Sequence, residues 1–336
     1  MKKIVFLTGT RADFGKLKSL IKITQDSPNF DVQIFATGMH LDAKYGLTVN
    51  EIYKSGFKNI ATFQNHVGAE FMDRTLAKTI EGFSEYIADQ KPDLIVVHGD
   101  RVEALAGAIV GSLNNILVAH IEGGEISGTI DELIRHSVSK LSHLHLVSND
   151  EAKKRLIQMG ELESSIYVIG SPDLDLMNPV NLPSLQQVKE NYNIDFNEYA
   201  IAMYHPVTTE YEKIKEQSTI FVDALLASNK NYVVIFPNND LGTEEILNEY
   251  KRLENNPKFR IFPSLRFEYF LKLLQEANFI IGNSSAGVRE APFYQVLTID
   301  IGSRQNNRSN GNSILNVSHN VSEILSAIHK SEKLKL

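Results

Sequence analysis

Short apolar runs rich in β-branched residues punctuate the first half of the chain, at residues 3–7, 32–36, 94–98, 116–121, 144–148 and 166–169. Most do not alternate apolar with polar positions. Strands covered on both faces read this way, so the pattern predicts a parallel sheet. Helical spacing fills the gaps. Leu76, Ile80, Phe83 and Ile87 recur at i, i+4, i+7 and i+11 and make one apolar stripe. Residues 101–113 and 131–141 also read as helices. After Gly170 the texture changes, with Pro172, Pro179 and Pro183 in the polar stretch 171–184. This stretch reads as an inter-domain linker. The strand pattern then restarts at 199–204, 232–236, 260–262, 279–282 and 296–300, with a helix over 269–277. The expectation is an α/β chain of two Rossmann-like, doubly wound parallel-sheet domains, residues 1–170 and 185–336. Ligands of such sheets sit at the carboxyl ends of strands, and two facing sheets would hold one in the cleft between them.

The length of 336 residues suits two domains at about 150 residues each. A net charge of −7 excludes a strongly basic nucleic-acid binder but leaves room for a local basic site. Cysteine is absent, which excludes disulfides, thiolate catalysis and cysteine-ligated metal sites and fits the cytoplasm. No apolar run approaches the ~18 residues of a membrane span. The N-terminus imitates a signal peptide, but its apolar stretch ends at Leu7, before Arg11, Asp13 and Lys16. A signal core needs about 7–15 apolar residues.

The polar motifs fall just after strands. Gly9 to Lys16 is a glycine turn entering a helix, a near miss to a P-loop because the glycine spacing is wrong and Leu17 stands where a hydroxyl should hold magnesium. Its backbone N–H groups and Arg11 suit an anion, and a plain βα turn with surface charges explains it equally well. His98-Gly99-Asp100-Arg101 puts a carboxylate either in the cleft or at a helix cap. His120-Ile121-Glu122-Gly123-Gly124-Glu125 sets two carboxylates beside glycines that admit close approach. In Asp131-Glu132-Leu133-Ile134-Arg135-His136 the charges pair at i,i+4, the ordinary meaning of which is a surface salt-bridge helix. His205 follows the first strand of the second half. Gly282 to Glu290 reads as a second anion site, or as a simple N-cap, with Glu290 placed for ribose hydroxyls. Residues 302–308 add Arg304 and Arg308. His143 and His145 alternate on a strand without a completing ligand set, so no metal site is expected.

Two anion sites with carboxylates between them suit a sugar linked to a diphosphate. The joint set of motifs, from GTRADFGK and HGDR through HIEGGE, GSPDLD, HPVTTE and FPNND to GNSSAGVREAP, resembles the hydrolysing UDP-N-acetylglucosamine 2-epimerases of sialic-acid biosynthesis along nearly the whole chain. Close relatives act on UDP- or GDP-linked diacetylbacillosamine in legionaminic-acid synthesis. The resemblance implies the two-domain GT-B fold and a UDP-sugar substrate. It also implies no metal or NAD, a cytoplasmic setting, and a homodimer or homotetramer. Asp100, Glu122 and Asp131 match the family's catalytic carboxylates, and His205 matches a histidine near the diphosphate. Arg11, Lys16 and Arg101 match its basic groups. Asn238, Phe267, Ser284, Ser285, Glu290 and Arg304 match the nucleotide side, with Phe267 stacking near the base. The family runs some tens of residues longer, with a C-terminal helix crossing back. This chain stops soon after the helix expected at 321–329. A GT-B glycosyltransferase and a non-catalytic nucleotide-sugar binder are the competing classes.

Overall fold

The computed structural model describes residues 1–65, 71–127, 130–172, 174–305, 312–332 and 334. It divides into two compact units, Met1–Ile126 with Ile130–Leu176, and Met177–Leu336. Each contains one wholly parallel sheet.

In the first unit the strands are β1 (Lys2–Thr8), β2 (Phe30–Ala36), β3 (Asn59–Thr62), β4 (Leu94–His98), β5 (Leu117–Ile121), β6 (Leu144–Val147) and β7 (Ile166–Val168). They lie in the order β3-β2-β1-β4-β5-β6-β7. The helices are α1 (Arg11–Asp26), α2 (Val49–Lys54), α3 (Met72–Gln90), α4 (Val102–Leu113), α5 (Ile130–Lys140), α6 (Asp150–Gln158) and α7 (Leu174–Met177). The continuous apolar runs are explained by helices on both faces of the sheet. Phe14, Leu17 and Ile21 of α1 pack with Ile4, Phe6 and Ile34 on one side. Phe83, Ile87, Val102 and Ala108 pack with Val5, Leu7, Ile95 and Val97 on the other. Each such Val, Leu, Ile or Phe side chain, fully buried, contributes about 1.5–3 kcal/mol.

The second unit repeats the design with β8 (Ala200–Met203), β9 (Tyr232–Ile235), β10 (Phe259–Phe262), β11 (Phe279–Gly282), β12 (Leu297–Ile301) and β13 (Ile314–Val317), ordered β10-β9-β8-β11-β12-β13. Its helices are α8 (Leu185–Tyr192), α9 (Ile214–Ser228), α10 (Thr243–Tyr250), α11 (Phe267–Gln275), α12 (Glu290–Phe293) and α13 (Val321–Ser331). Phe221, Val222 and Leu225 of α9 and Ile324 and Ile328 of α13 enter its core.

Strand order reverses direction at β1/β4 in one sheet and at β8/β11 in the other. The crevice at the carboxyl ends of strands flanking such a switch point is where doubly wound sheets take ligands. The residues that follow β1, β4, β8 and β11 carry four of the motifs. Two edge strands, β3 and β13, escaped the sequence reading. Both are short, and polar residues occupy Asn59, Thr62 and Asn316, as edge strands tend to allow.

Candidate active site

After β1, the chain turns into α1 through a complete capping box. Thr10 Oγ1 accepts the Asp13 N–H at 3.2 Å, and the Asp13 carboxylate accepts the N–H groups of Thr10 at 3.1 Å and Gly9 at 3.0 Å. The glycine motif led to the expectation that those amides would face an anion. Asp13 takes two of them, those of Gly9 and Thr10, as a helix cap. Arg11 pairs with Glu51. Lys16, one turn along α1, is buried.

Lys16 meets the centre of the site. Glu122 follows β5 and is 3 % exposed. Its backbone holds φ at +61°, which is uncommon for a residue with a side chain. Its amide donates to the Leu146 carbonyl at 2.9 Å, so the sheet enforces that turn. Its Oε1 accepts the Ser171 hydroxyl. Its Oε2 lies 3.1 Å from His98 Nε2 and 3.7 Å from Lys16 Nζ. A carboxylate this deep is costly to bury unless compensated. Three groups from three segments compensate it: the Lys16 cation from α1, and hydrogen bonds from the end of β4 and from the stretch after β7. Sequence reading singled out neither His98 nor Ser171 as a site residue, although both stand at strand ends.

Asp100 follows Gly99, whose φ is +74°. The Asp100 carboxylate accepts from Arg135 Nη2. The sequence suggested that Arg135 would serve Asp131 on its own helix. Arg135 reaches beyond its own helix to Asp100, and its Nη1 also donates to the Glu125 carbonyl at 3.1 Å. Arg101 Nε donates to the buried Glu103 at 3.2 Å. Asp131 is half-buried in the first turn of α5. On the same helix His136 lies 3.9 Å from Glu132, the i,i+4 pair expected. Gly128, Thr129, Asp173, Asn306, Asn307 and Arg308 belong to the sequence motifs but lie outside the described residues.

In the second unit, His205 follows β8. Asn283, after β11, clips it by accepting the His205 N–H at 2.6 Å and donating to its carbonyl at 2.8 Å. His205 Nδ1 accepts the Asn238 N–H at 3.0 Å, which puts the proton of a neutral ring on Nε2. Arg304 Nη1 and Gln305 Nε2 both donate to the Asn283 carbonyl, at 3.2 and 2.8 Å. His205, Asn238, Asn283 and Arg304 therefore form one cluster. Burial raises the nearby Asp300 carboxyl to about 6, with Arg304 pulling the other way. Ser284 caps the helical turn Ser285–Gly287, accepting the Ala286 N–H at 3.3 Å. Glu290 is buried at the start of α12. Phe267 is buried at the start of α11 and stacks on Phe270, with 6.4 Å between ring centroids.

Among the described residues, no group of three or more His, Asp or Glu side chains is placed to hold a metal ion. His143 accepts the Val118 N–H at 3.1 Å, while His145 Nε2 lies 3.2 Å from Glu161. No described helix is long and apolar enough to cross a membrane.

Two histidines support the first unit from below. Burial lowers the His40 imidazole from the usual 6.5 to about 4, against the opposing pull of Asp13. It lowers His120 to about 3, against the hydrogen bond to Gly99. The unfolded chain binds protons at both sites below about pH 6.5, and the folded chain does not. Stability is therefore expected to fall from about pH 6.5 toward 4, by up to about 1.4 kcal/mol per pH unit for each histidine. Urea unfolding at pH 7 and pH 5 checks this. A midpoint at pH 5 equal to or above that at pH 7 contradicts it.

Two successive doubly wound units, with acidic and basic side chains gathered at their switch points, define a two-domain α/β protein of the GT-B fold class. The family model for UDP-N-acetylglucosamine 2-epimerase matches residues 22–335, and the chain belongs to that family. A UDP-N-acetylglucosamine 2-epimerase of Neisseria meningitidis serogroup B is 48 % identical over 331 residues, which is 98 % of this chain and 88 % of that protein. A hydrolyzing UDP-N,N'-diacetylbacillosamine 2-epimerase of Legionella pneumophila is 35 % identical over 339 residues, 98 % of this chain and 89 % of that protein. Among solved structures, the Methanocaldococcus jannaschii UDP-GlcNAc 2-epimerase in complex with UDP-GlcNAc and UDP shares the fold. Its TM-score is 0.82 at 21 % identity, with 100 % of this chain and 94 % of that one covered.

Proposed function

We propose that the protein is a hydrolysing UDP-N-acetylglucosamine 2-epimerase, converting UDP-GlcNAc and water to N-acetylmannosamine and UDP at the start of sialic-acid synthesis. On this reading it works in the cytoplasm as a homodimer or homotetramer, with no metal or nucleotide cofactor. The observation that carries the reading is the buried Glu122 carboxylate held by Ser171, His98 and Lys16 at the switch-point end of the first sheet, in a chain of this family.

The C2 hydrogen of an acetamido sugar is not acidic enough for a simple base. Breaking the bond from C1 to the phosphate oxygen sends that electron pair to UDP and leaves C1 cationic, which acidifies C2–H. One carboxylate of the set Asp100, Glu122 and Asp131 steadies the cationic centre and another takes the C2 proton. The C–H electrons close the C1=C2 double bond of 2-acetamidoglucal. Water then adds its hydroxyl to C1 and a proton reaches C2 on the opposite face. Arg11, Lys16 and Arg101 serve the departing charge from the first unit. His205, Asn238, Ser284, Ser285, Arg304, Phe267 and Glu290 serve the nucleotide from the second.

The 35 % identity to the Legionella protein favours a second substrate, a nucleotide-linked diacetamido sugar. UDP release from UDP-GlcNAc, from its diacetamido analogue and from the GDP-linked forms, all without an acceptor, decides between them. Fastest release from UDP-GlcNAc is expected. Release that requires an added acceptor makes the protein a glycosyltransferase and overturns the proposal.

A further inference from the structure

Asp131, Arg135 and Ser139 are spaced four apart on α5 and so share one helical face. Two of them reach the turn that carries Asp100. Arg135, 3 % exposed, forks between the Asp100 carboxylate and the Glu125 carbonyl, joining the turns after β4 and β5. Ser139 acts through a relay. His120 Nε2 lies 2.8 Å from the Gly99 carbonyl, which only accepts, so that nitrogen carries the proton. Nδ1 then accepts from the Ser139 hydroxyl at 3.0 Å. Serine and histidine are both fully buried, and a neutral imidazole suits that burial. Gly123 closes over the pair: a Cβ there would fall 2.8 Å from both His120 Nδ1 and Ser139 Oγ. The Gly99 amide in turn donates to the Ile121 carbonyl at 3.0 Å, so β5 grips the same turn.

We infer that Arg135 and the Ser139–His120 relay are positioning residues, and that through them α5 sets the Asp100 turn against the Glu122 turn while presenting Asp131 from the same face. The kinetic part of this inference rests on the epimerase reading; the geometric part does not. A salt bridge at the surface would hold nothing in register. A fork and a relay from one rigid helix, converging on adjacent residues, fix both the height and the tilt of the Asp100 turn. Small displacements of a reacting group cost orders of magnitude in rate.

The test uses the full chain carrying Arg135→Lys or Ser139→Ala. UDP-GlcNAc turnover and hydrogen exchange at the Gly99 amide are read side by side. Arg135→Lys is expected to lower kcat about 10²-fold and Ser139→Ala about tenfold, with KM within about threefold of wild type. Exchange at Gly99 should rise about tenfold or more, while the amides of β1 and β4 stay as protected as in wild type. A merely structural role would raise exchange throughout the unit and leave kcat per folded molecule unchanged, which overturns the inference. Unchanged Gly99 exchange in Ser139→Ala overturns it too, even if Arg135→Lys fails to fold. Absence of wild-type turnover with UDP-GlcNAc and with its diacetamido analogue overturns the epimerase reading alone, and the Gly99 exchange then decides the geometric claim by itself.

Discussion

Glu122→Gln is expected to lower turnover of UDP-GlcNAc by about 10²–10⁴-fold, the usual contribution of a positioned acid or base. The amide is the same size and can still accept from Ser171. It cannot take a proton from carbon or return one. It also leaves Lys16, 10 % exposed at its side chain, facing a neutral group at a distance of 3.7 Å. Weakening a buried charged contact costs about 1–3 kcal/mol, so the variant should melt a few degrees lower and remain folded at 25 °C. UDP release measured on protein whose circular dichroism matches wild type separates the two effects. Near-normal turnover would remove Glu122 from the chemistry and leave its burial and strained φ unexplained by catalysis.

Gly282→Ala is expected to cost about 3 kcal/mol or more and to lower the melting temperature by about 6 °C or more. Gly282 ends β11 with φ at +135°, where a side chain is strained whatever the space. Space is also lacking. A Cβ would lie 1.9 Å from the Met203 carbonyl oxygen on β8, its register partner. Relieving that clash means separating the two strands whose ends carry His205 and Asn283. The Asn283 amide, which donates to the same Met203 oxygen at 3.1 Å, would be pulled away with it. Gly56→Ala is the control. Gly56 also has positive φ, +79°, but a Cβ there would have nothing within 4 Å, so only strain of about 1 kcal/mol is expected. Equal melting losses for the two variants would contradict the argument.

The central strands and the positions of the motifs were legible because burial on both faces leaves an unmistakable signature in residues such as Val5, Val97 and Ile281. The edge strands were not. Asn59 and Asn316 face less apolar surroundings, and nothing local distinguishes them from loop residues. Asp100, Glu122 and His205 were legible as polar groups following apolar strands. Their partners were harder to read. Arg135 looks committed to its helical neighbour in sequence and is recruited to Asp100 by the packing of α5. Ser171 lies 49 residues from Glu122 and in a proline-bearing stretch that reads as linker. Only the adjacency of β5, β6 and β7 brings it near. Asp13 is easily passed over because it sits inside a glycine motif, although Thr10 and Asp13 three residues apart are a recognisable cap.

The most direct test is NMR of the wild-type chain with UDP-GlcNAc alone in D₂O. Elimination followed by hydration should release UDP and give N-acetylmannosamine carrying one deuterium at C2, because the proton lost there exchanges with solvent before the other face is reprotonated. A UDP-sugar that stays intact would contradict the hydrolysing reading, and a sugar that keeps its C2 hydrogen and gluco configuration would contradict the assignment of Asp100, Glu122 and Asp131 to proton transfer at C2.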